Sequence, residues 1–250
     1  VTLPDIDMDK VKGKQVTCIA ATDSGLLWIG TDGNGANFFT FNYSNPFLEN
    51  SISGNVITRL AEDAHKNIWI TTNQGFSKYQ KQSGIFTNYF YTANQAMEGT
   101  NLVFTDNRGD VFIARSLYNN LAQVYRYDDK ADSFRVVVSV DNAGIRKAFF
   151  DRLDNLLLLM TDGQVKLYEQ VAGKGFSLSL TLPAVNMFRL HQRIFFSRSG
   201  RDLYEVVTDY RQPAFRATFP DPLHNIHFYR HHYFVIGENK TCTVYDPSFQ

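Results

Sequence analysis

The stretch "HNIHFYRHH" at residues 224–232 holds four of the chain's six histidines. Histidine is the side chain most suited to binding transition metals and moving protons near neutral pH. Along a strand, however, His224 and His227 are three apart and face opposite sides, while His231 and His232 fall in a turn. No cysteine or carboxylate stands beside them at ligand spacing, so no metal site is expected. Cys18 and Cys242 are the only cysteines, too few for a thiolate site or a disulfide framework, and they fall on different strands of different repeats, so no disulfide is expected. No Ser/His/Asp or Cys/His arrangement carries a local motif and no carboxylate pair is singled out by context. No catalytic residue and no cofactor is assigned.

A second chemical candidate is "LLWIGTDGNG" (26–35), where three glycines in six positions could wrap a phosphate. A phosphate loop needs a helix behind it to aim its backbone N–H groups. The following "ANFFTFNY" reads as strand, so Gly33 and Gly35 are assigned to a hairpin turn that needs positive φ.

The elements around these residues repeat. "VTCIAATDSGLLWIGTDGNGANFF" (16–39) and "VITRLAEDAHKNIWITTNQGFSKY" (56–79) share an order: apolar strand, Asp in a polar turn, strand centred on Trp, Thr before a Gly-containing turn, strand ending in an aromatic. The pattern recurs at 102–115 and 147–168 with Phe112 and Leu157 in the Trp place, and more weakly at 187–204 and 226–246 around Phe195 and Phe234. The successive spacings from Trp28 through Trp69 onward are 41, 43, 45, 38 and 39 residues. The last two copies lack the turn Asp. Each unit continues into a further short strand, as in "YQKQSGIFTNYF" (79–90) and "YDDKADSFRVVVSV" (127–140).

Four short strands in about 40 residues, with no sustained helical period, describe a β-propeller blade. The expected fold is all-β, a single β-propeller domain over 1–250 built of four-stranded antiparallel blades, about six of them. The units run 16–55, 56–101, 102–144, 145–185, 186–225 and 226–250, with 1–15 as a leftover outer strand. That strand either completes the sixth blade or belongs to a seventh that is absent. Trp28 and Trp69 are expected at equivalent core positions.

Lys plus Arg and Asp plus Glu each number 25, so no global field draws the chain to nucleic acid or an anionic surface. The longest apolar run, "LLLLM" (156–160), is far shorter than a membrane helix. The chain opens in mid-pattern, without an initiator methionine or signal peptide. It reads as a piece of a larger or processed protein, so missing targeting signals say little.

The order Asp, turn, Gly or Asn, aliphatic, "W-I-G-T", polar turn with Gly resembles the two-component regulator propeller repeat, best in "TDSGLLWIGTDGNG" (22–35) and "EDAHKNIWITTNQGFSKY" (62–79). The resemblance is specific over the first third of the chain and echoes to residue 168. It implies the periplasmic sensor region of a bacterial hybrid histidine kinase, with a membrane span and kinase beyond this segment and any homodimer formed through the full-length receptor. It also implies a small soluble ligand, an oligosaccharide or other polysaccharide breakdown product. The fragment itself would not be an enzyme. A propeller lyase or glycosidase, and a protein-interaction scaffold, are the alternative readings.

In a propeller, the turn between the second and third strands shares a face with the link between blades. That places Asp32 and Asn34, Asn73 and Gln74, Arg115 and Ser116, Asp162 and Gln164, Arg198 and Ser199, and Glu238 and Asn239 on one polar face. Such a face suits a hydroxyl-rich ligand, although Asp, Asn and Gly are also what turns use. Arg59, Arg146, Arg189 and His227 fall on first strands near the axis. Inward-pointing they would line it with positive charge for a uronate or sulfate; outward-pointing they are ordinary strand charges.

Overall fold

The short aromatic and β-branched runs form strands, and the Gly, Asn and Asp clusters between them form the turns. The computed structural model describes residues 15–21, 27–38, 41–43, 50–90, 101–116, 121–172, 175–190, 193–207, 209–229, 231–239 and 241–249. The outer strand expected within 1–15 lies almost entirely outside them. Blade 1 is β1 (Val16–Ala21), β2 (Leu27–Thr31), β3 (Ala36–Phe38) and β4 (Phe41–Tyr43). Blade 2 is β5 (Ile57–Glu62), β6 (Ile68–Thr72), β7 (Phe76–Gln80) and β8 (Ile85–Tyr89). Blade 3 is β9 (Asn101–Thr105), β10 (Val111–Ser116), β11 (Ala122–Asp128) and β12 (Ser133–Val140). Blade 4 is β13 (Ile145–Phe150), β14 (Leu156–Met160), β15 (Gln164–Val171) and β16 (Gly175–Pro183). Blade 5 is β17 (Asn186–Leu190), β18 (Arg193–Ser197), β19 (Asp202–Val206) and β20 (Ala214–Thr218). The sixth sheet has three strands, β21 (Leu223–Tyr229), β22 (His232–Gly237) and β23 (Cys242–Tyr245).

Every sheet is an antiparallel meander with its strands in chain order, the blade of a β-propeller. No helix occurs among the described residues. The chain packs as two compact units, Val1–Asn142 with blades 1–3 and Ala143–Gln250 with blades 4–6. Cys18 and Cys242 are free thiols.

In the first unit the repeat is a packing repeat. Trp28 and Trp69 hold the second position of β2 and β6 and are 2% and 0% exposed. Each meets a tyrosine of the next blade's third strand: Trp28 lies 5.2 Å from Tyr79, and Trp69 lies 4.8 Å from Tyr127. Phe86 backs Tyr79 at 4.9 Å and Phe134 backs Tyr127 at 5.1 Å, each from the outer strand. The expected equivalence of the two tryptophans therefore holds down to their neighbours. All of β6 is buried, because blades 1 and 3 cover its two faces. In the second unit Phe195 joins blades 5 and 6 by a different contact, with Tyr233 of the second strand β22 and with Phe249 beyond β23.

The turn aspartates fix the first hairpin of blades 2, 3 and 4. Asp63, Asp106 and Asp151 are buried, and each Oδ1 accepts the backbone N–H groups two and four residues on. Asp63 Oδ2 takes the Asn67 amide at 3.0 Å and the Trp69 indole N–H at 2.9 Å. Asp106 Oδ2 takes the Arg108 guanidinium, and Asp151 Oδ2 takes the Asn155 amide and the Tyr210 hydroxyl. Closing the turn drives the third residue after each Asp into the left-handed region: Lys66 at φ 67°, Gly109 at 83° and Asp154 at 61°. Blades 5 and 6, which lack the Asp, pair Leu190 with Arg193 and Tyr229 with His232 at the ends of their first two strands.

Blade 5 carries a buried charge of its own. Glu205 accepts Arg193 at 2.6 and 2.7 Å and Arg216 at 2.7 Å. Burial alone would raise its pKa, but the two guanidinium groups hold it below the ordinary 4.5.

Two outcomes are expected in urea unfolding. Trp28→Ala and Trp69→Ala each lose about 3–5 kcal/mol. Asp63→Ala loses about 2–4 kcal/mol, because buried donors including the Trp69 indole are left unpaired. The acid limb has a sign. A folded pKa below the unfolded 4.5 gives stability that is complete above pH 4.5 and is lost as pH falls through the lowered value. Glu205→Gln is expected to flatten that limb in unfolding measurements taken across the acid range.

Candidate functional site

The turns after the second strands are tied to the links between blades by one recurring backbone bond. The first turn residue donates its N–H to the residue just before the first strand: Asp32 to Gln15 (3.0 Å), Asn73 to Val56 (3.0 Å), Thr161 to Gly144 (2.8 Å) and Glu238 to Pro222 (2.9 Å). Turn and link thus share one end of these blades. Asn55 and Val56 sit between two turns, because the Asn55 carbonyl also accepts the Gly35 N–H at 2.8 Å.

In blade 1, Asp32 and Asn34 are exposed on the turn closed by Thr31, whose hydroxyl donates to the Gly35 carbonyl at 2.7 Å. Blade 2 repeats this: the Thr72 hydroxyl donates to the Gly75 carbonyl at 3.1 Å and accepts the Gln74 N–H at 3.1 Å. Arg115 is the penultimate residue of β10, with its guanidinium 4.5 Å above the Phe90 ring; burial lowers its pKa, with Tyr125 opposing. Ser116 follows it at the strand end. In the second unit, Asp162 accepts the Gln164 N–H across its own turn at 3.1 Å. Arg198 lies 4.8 Å over the Tyr204 ring, and the neighbouring Ser199 hydroxyl donates to Asp202. Asn239 donates to Asp221 at 2.5 Å and accepts from Thr241.

The turns differ in what they leave unmet. Asn55 Oδ1, Asn73 Oδ1 and Gln74 Oε1 are buried oxygens that accept no hydrogen bond from the described residues. All three lie on the turn and link of blade 2. A buried acceptor without a donor costs about 1–3 kcal/mol, so three at one place mark a site built for something other than the fold. Gly54 completes it: a Cβ there would stand 2.5 Å from Asn73 Oδ1 and 2.9 Å from the Thr72 hydroxyl. Asn55 was not among the candidates named from sequence, because "SGN" between two blades reads only as a link.

The first-strand cations are dispersed. Arg59 is exposed on β5, beside the irregularity between Ile57 and Arg59. Arg146 is exposed and donates to the Val185 carbonyl at 3.1 Å, at the link end of blade 4. Arg189 is half-buried; burial lowers its pKa while Asp151 and Asp154, of the opposite hairpin end, oppose. His227 is exposed, 3.2 Å from the Asn225 amide. Within the second unit, Arg146 and Arg189 therefore serve different ends of the strands. No cluster of three or more His, Cys, Asp or Glu suited to a metal occurs among the described residues.

No curated protein matches the chain in sequence. Solved structures do match in fold. The extracellular domain of a putative hybrid two-component system from B. thetaiotaomicron superposes with a TM-score of 0.70 at 14% identity, over 98% of this chain and 35% of that one. PorZ, a surface component of the type-IX secretion system of Porphyromonas gingivalis, gives 0.68 at 14% identity, over 93% and 39%. The C-terminal WD40 domain of Sif2 gives 0.62 at 12% identity, over 92% and 66%. The chain thus spans little more than a third of the length of the first two. Residues 10–33 and 51–74 match the two-component regulator propeller pattern, the segments that run into the tryptophan strands. Over these two segments the chain is similar to the two-component regulator propeller family, and the blades they form have that repeat's strand order.

Proposed function

We propose that this chain is part of the extracytoplasmic sensor of a hybrid two-component system. On this reading it binds a hydroxyl-rich ligand, an oligosaccharide, at the turn face of blade 2 and leaves catalysis to other domains. The observation that carries the ligand class is the trio of buried oxygens on Asn55, Asn73 and Gln74. Acceptors without donors call for a partner rich in O–H groups, and a sugar supplies several on one rigid ring. Asp32 and Asn34 of the adjacent turn, and Arg115 beyond it, extend the same end of the unit. The extracytoplasmic setting rests on the repeat family and on the likeness to an extracellular domain.

Calorimetric titration against a panel of neutral and acidic oligosaccharides tests the reading. Saturable binding is expected, and Asn73→Ala and Gln74→Ala are each expected to weaken it about twofold to tenfold, the worth of one hydrogen bond. Neither substitution breaks a side-chain hydrogen bond of the Asn73 or Gln74 oxygen, and each removes an unmet buried acceptor, so stability in urea should hold or rise, by up to about 1–3 kcal/mol. Silence across the panel, or binding indifferent to both substitutions, would defeat it. Gly54→Ala is expected to lower both stability and affinity. Its methyl group displaces the Asn73 amide and costs about 1–3 kcal/mol of stability through overpacking, while ligand affinity falls with it.

A further inference from the structure

The opposite ends of blades 2 and 3 line an open cavity of about 270 Å³ that the sugar-binding reading does not use. Ordinary ligand pockets begin at roughly 300 Å³, so it suits a small molecule or a single group of a larger one. Its floor is the contact between two aspartate turns. The Ala64 N–H donates to the Gly109 carbonyl at 3.1 Å, and a Cβ on Gly109 would stand 2.7 Å from the Ala64 nitrogen. Its walls are Asp63, His65 and Asp110, with the β11–β12 hairpin from Arg126 to Lys130 and Arg135.

The carboxylates on these walls are already engaged. Asp63 is spent on its own turn and Trp69. Asp110 accepts Arg126 at 2.7 Å, with Arg108 at 3.4 Å. Asp129 takes the buried Lys78 ammonium at 3.1 Å and lies 3.8 Å from His65, and Asp128 caps the backbone N–H groups of Lys130 and Ala131. The Lys130 and Arg135 side chains, by contrast, donate to no group among the described residues. Strand register adds a second observation. Arg126 and Arg135 are directly opposed across β11 and β12, and like charges so placed repel. Asp110 offsets Arg126, and no carboxylate among the described residues offsets Arg135.

We propose that this cavity is a second binding site, one for a small oxyanion. The group would be a sulfate, a phosphate or a carboxylate, free or borne on a small molecule, held by Arg135 and Lys130. An oxyanion there would relieve the Arg126–Arg135 repulsion and meet the guanidinium fork with paired oxygens. The site is independent of the turn face at the other end of the same strands.

Two-dimensional ¹H–¹⁵N spectra of the chain, titrated separately with sulfate, phosphate and acetate at constant ionic strength, provide the test. Saturable shifts are expected at Gly109, Asp110 and Lys130, and the order of the three ions identifies the oxyanion. Arg135→Gln is expected to weaken the best ion about tenfold, the worth of one charge-assisted contact, and Lys130→Gln severalfold. Arg211→Gln, an exposed arginine of the other unit, and Asn73→Ala should leave it unchanged. Shifts that never saturate with any of the three ions would overturn the proposal, as would an Arg135→Gln chain that binds as tightly as the parent. Either result leaves the sugar site untouched.

Discussion

Blades 2, 3 and 4 depend on a buried carboxylate closing the hairpin between the first two strands. Asp63, Asp106 and Asp151 each take two backbone N–H groups of a five-residue turn, so the turn has one conformation and the second strand one starting point. Everything downstream inherits that register. Trp69 is fixed twice, by its place on β6 and by its indole bond to Asp63, and the aromatic contacts across to Tyr127 and Phe134 follow. Burying a carboxylate is unfavourable unless it is fully hydrogen-bonded. Here the four donors on Asp63 meet that condition, and the same bonds orient the core. Blade 5, without the aspartate, places its buried acid on the third strand instead, where Glu205 binds Arg193 and Arg216 across three neighbouring strands.

The two ends of the strands consequently differ in character. The aspartate end is satisfied and tightly closed, with Ala64 against Gly109 at its tightest contact. In blades 1, 2, 4 and 6 the turn-and-link end is held by the same backbone bond, which fixes the main chain whatever side chains the turn carries. At blade 2 three buried oxygens without donors gather on one turn and link, whereas Asn101 of blade 3 and Ser197 of blade 5 each leave a single one. Such groups lower stability, and a fold keeps them where binding supplies the missing partner.

The blades were legible in the sequence because a repeat of about 40 residues with a strand period of two has few competing solutions. The Asp-to-Trp spacing and the loss of the Asp in the last two copies both carried over into turn geometry. The face shared by turn and link was also legible, since it follows from counting strands. What that face leaves unsatisfied was not. Asn73 and Gln74 look like any turn residues, and only their burial separates them from Asp162 or Asn239, whose side chains bond within their own turns or links. The cavity was hidden for a different reason. "YDDKADSFR" closes a hairpin in more than one register, and the opposition of Arg126 to Arg135 exists only in the register adopted.

That register also explains why Arg135 stays unmatched on a hairpin rich in aspartate. The carboxylates of the β11–β12 loop are drawn toward blade 2. Asp132 accepts the Tyr127 and Tyr89 hydroxyls, which hold its pKa below the ordinary carboxylate value. Asp129 accepts Lys78, a side chain buried against the Trp69 and Tyr127 rings at 5.5 and 4.7 Å. Burial by itself would lower the Lys78 pKa; Tyr127 and Asp129 more than offset it, so the ammonium stays charged and demands a counter-ion. The inter-blade core thus draws two of the loop's acids inward. A strand hydrogen-bonded in one register cannot turn its arginine after them, so Arg135 keeps its charge at the cavity wall. The unmatched arginine at that wall is a consequence of how blade 2 neutralises a buried lysine.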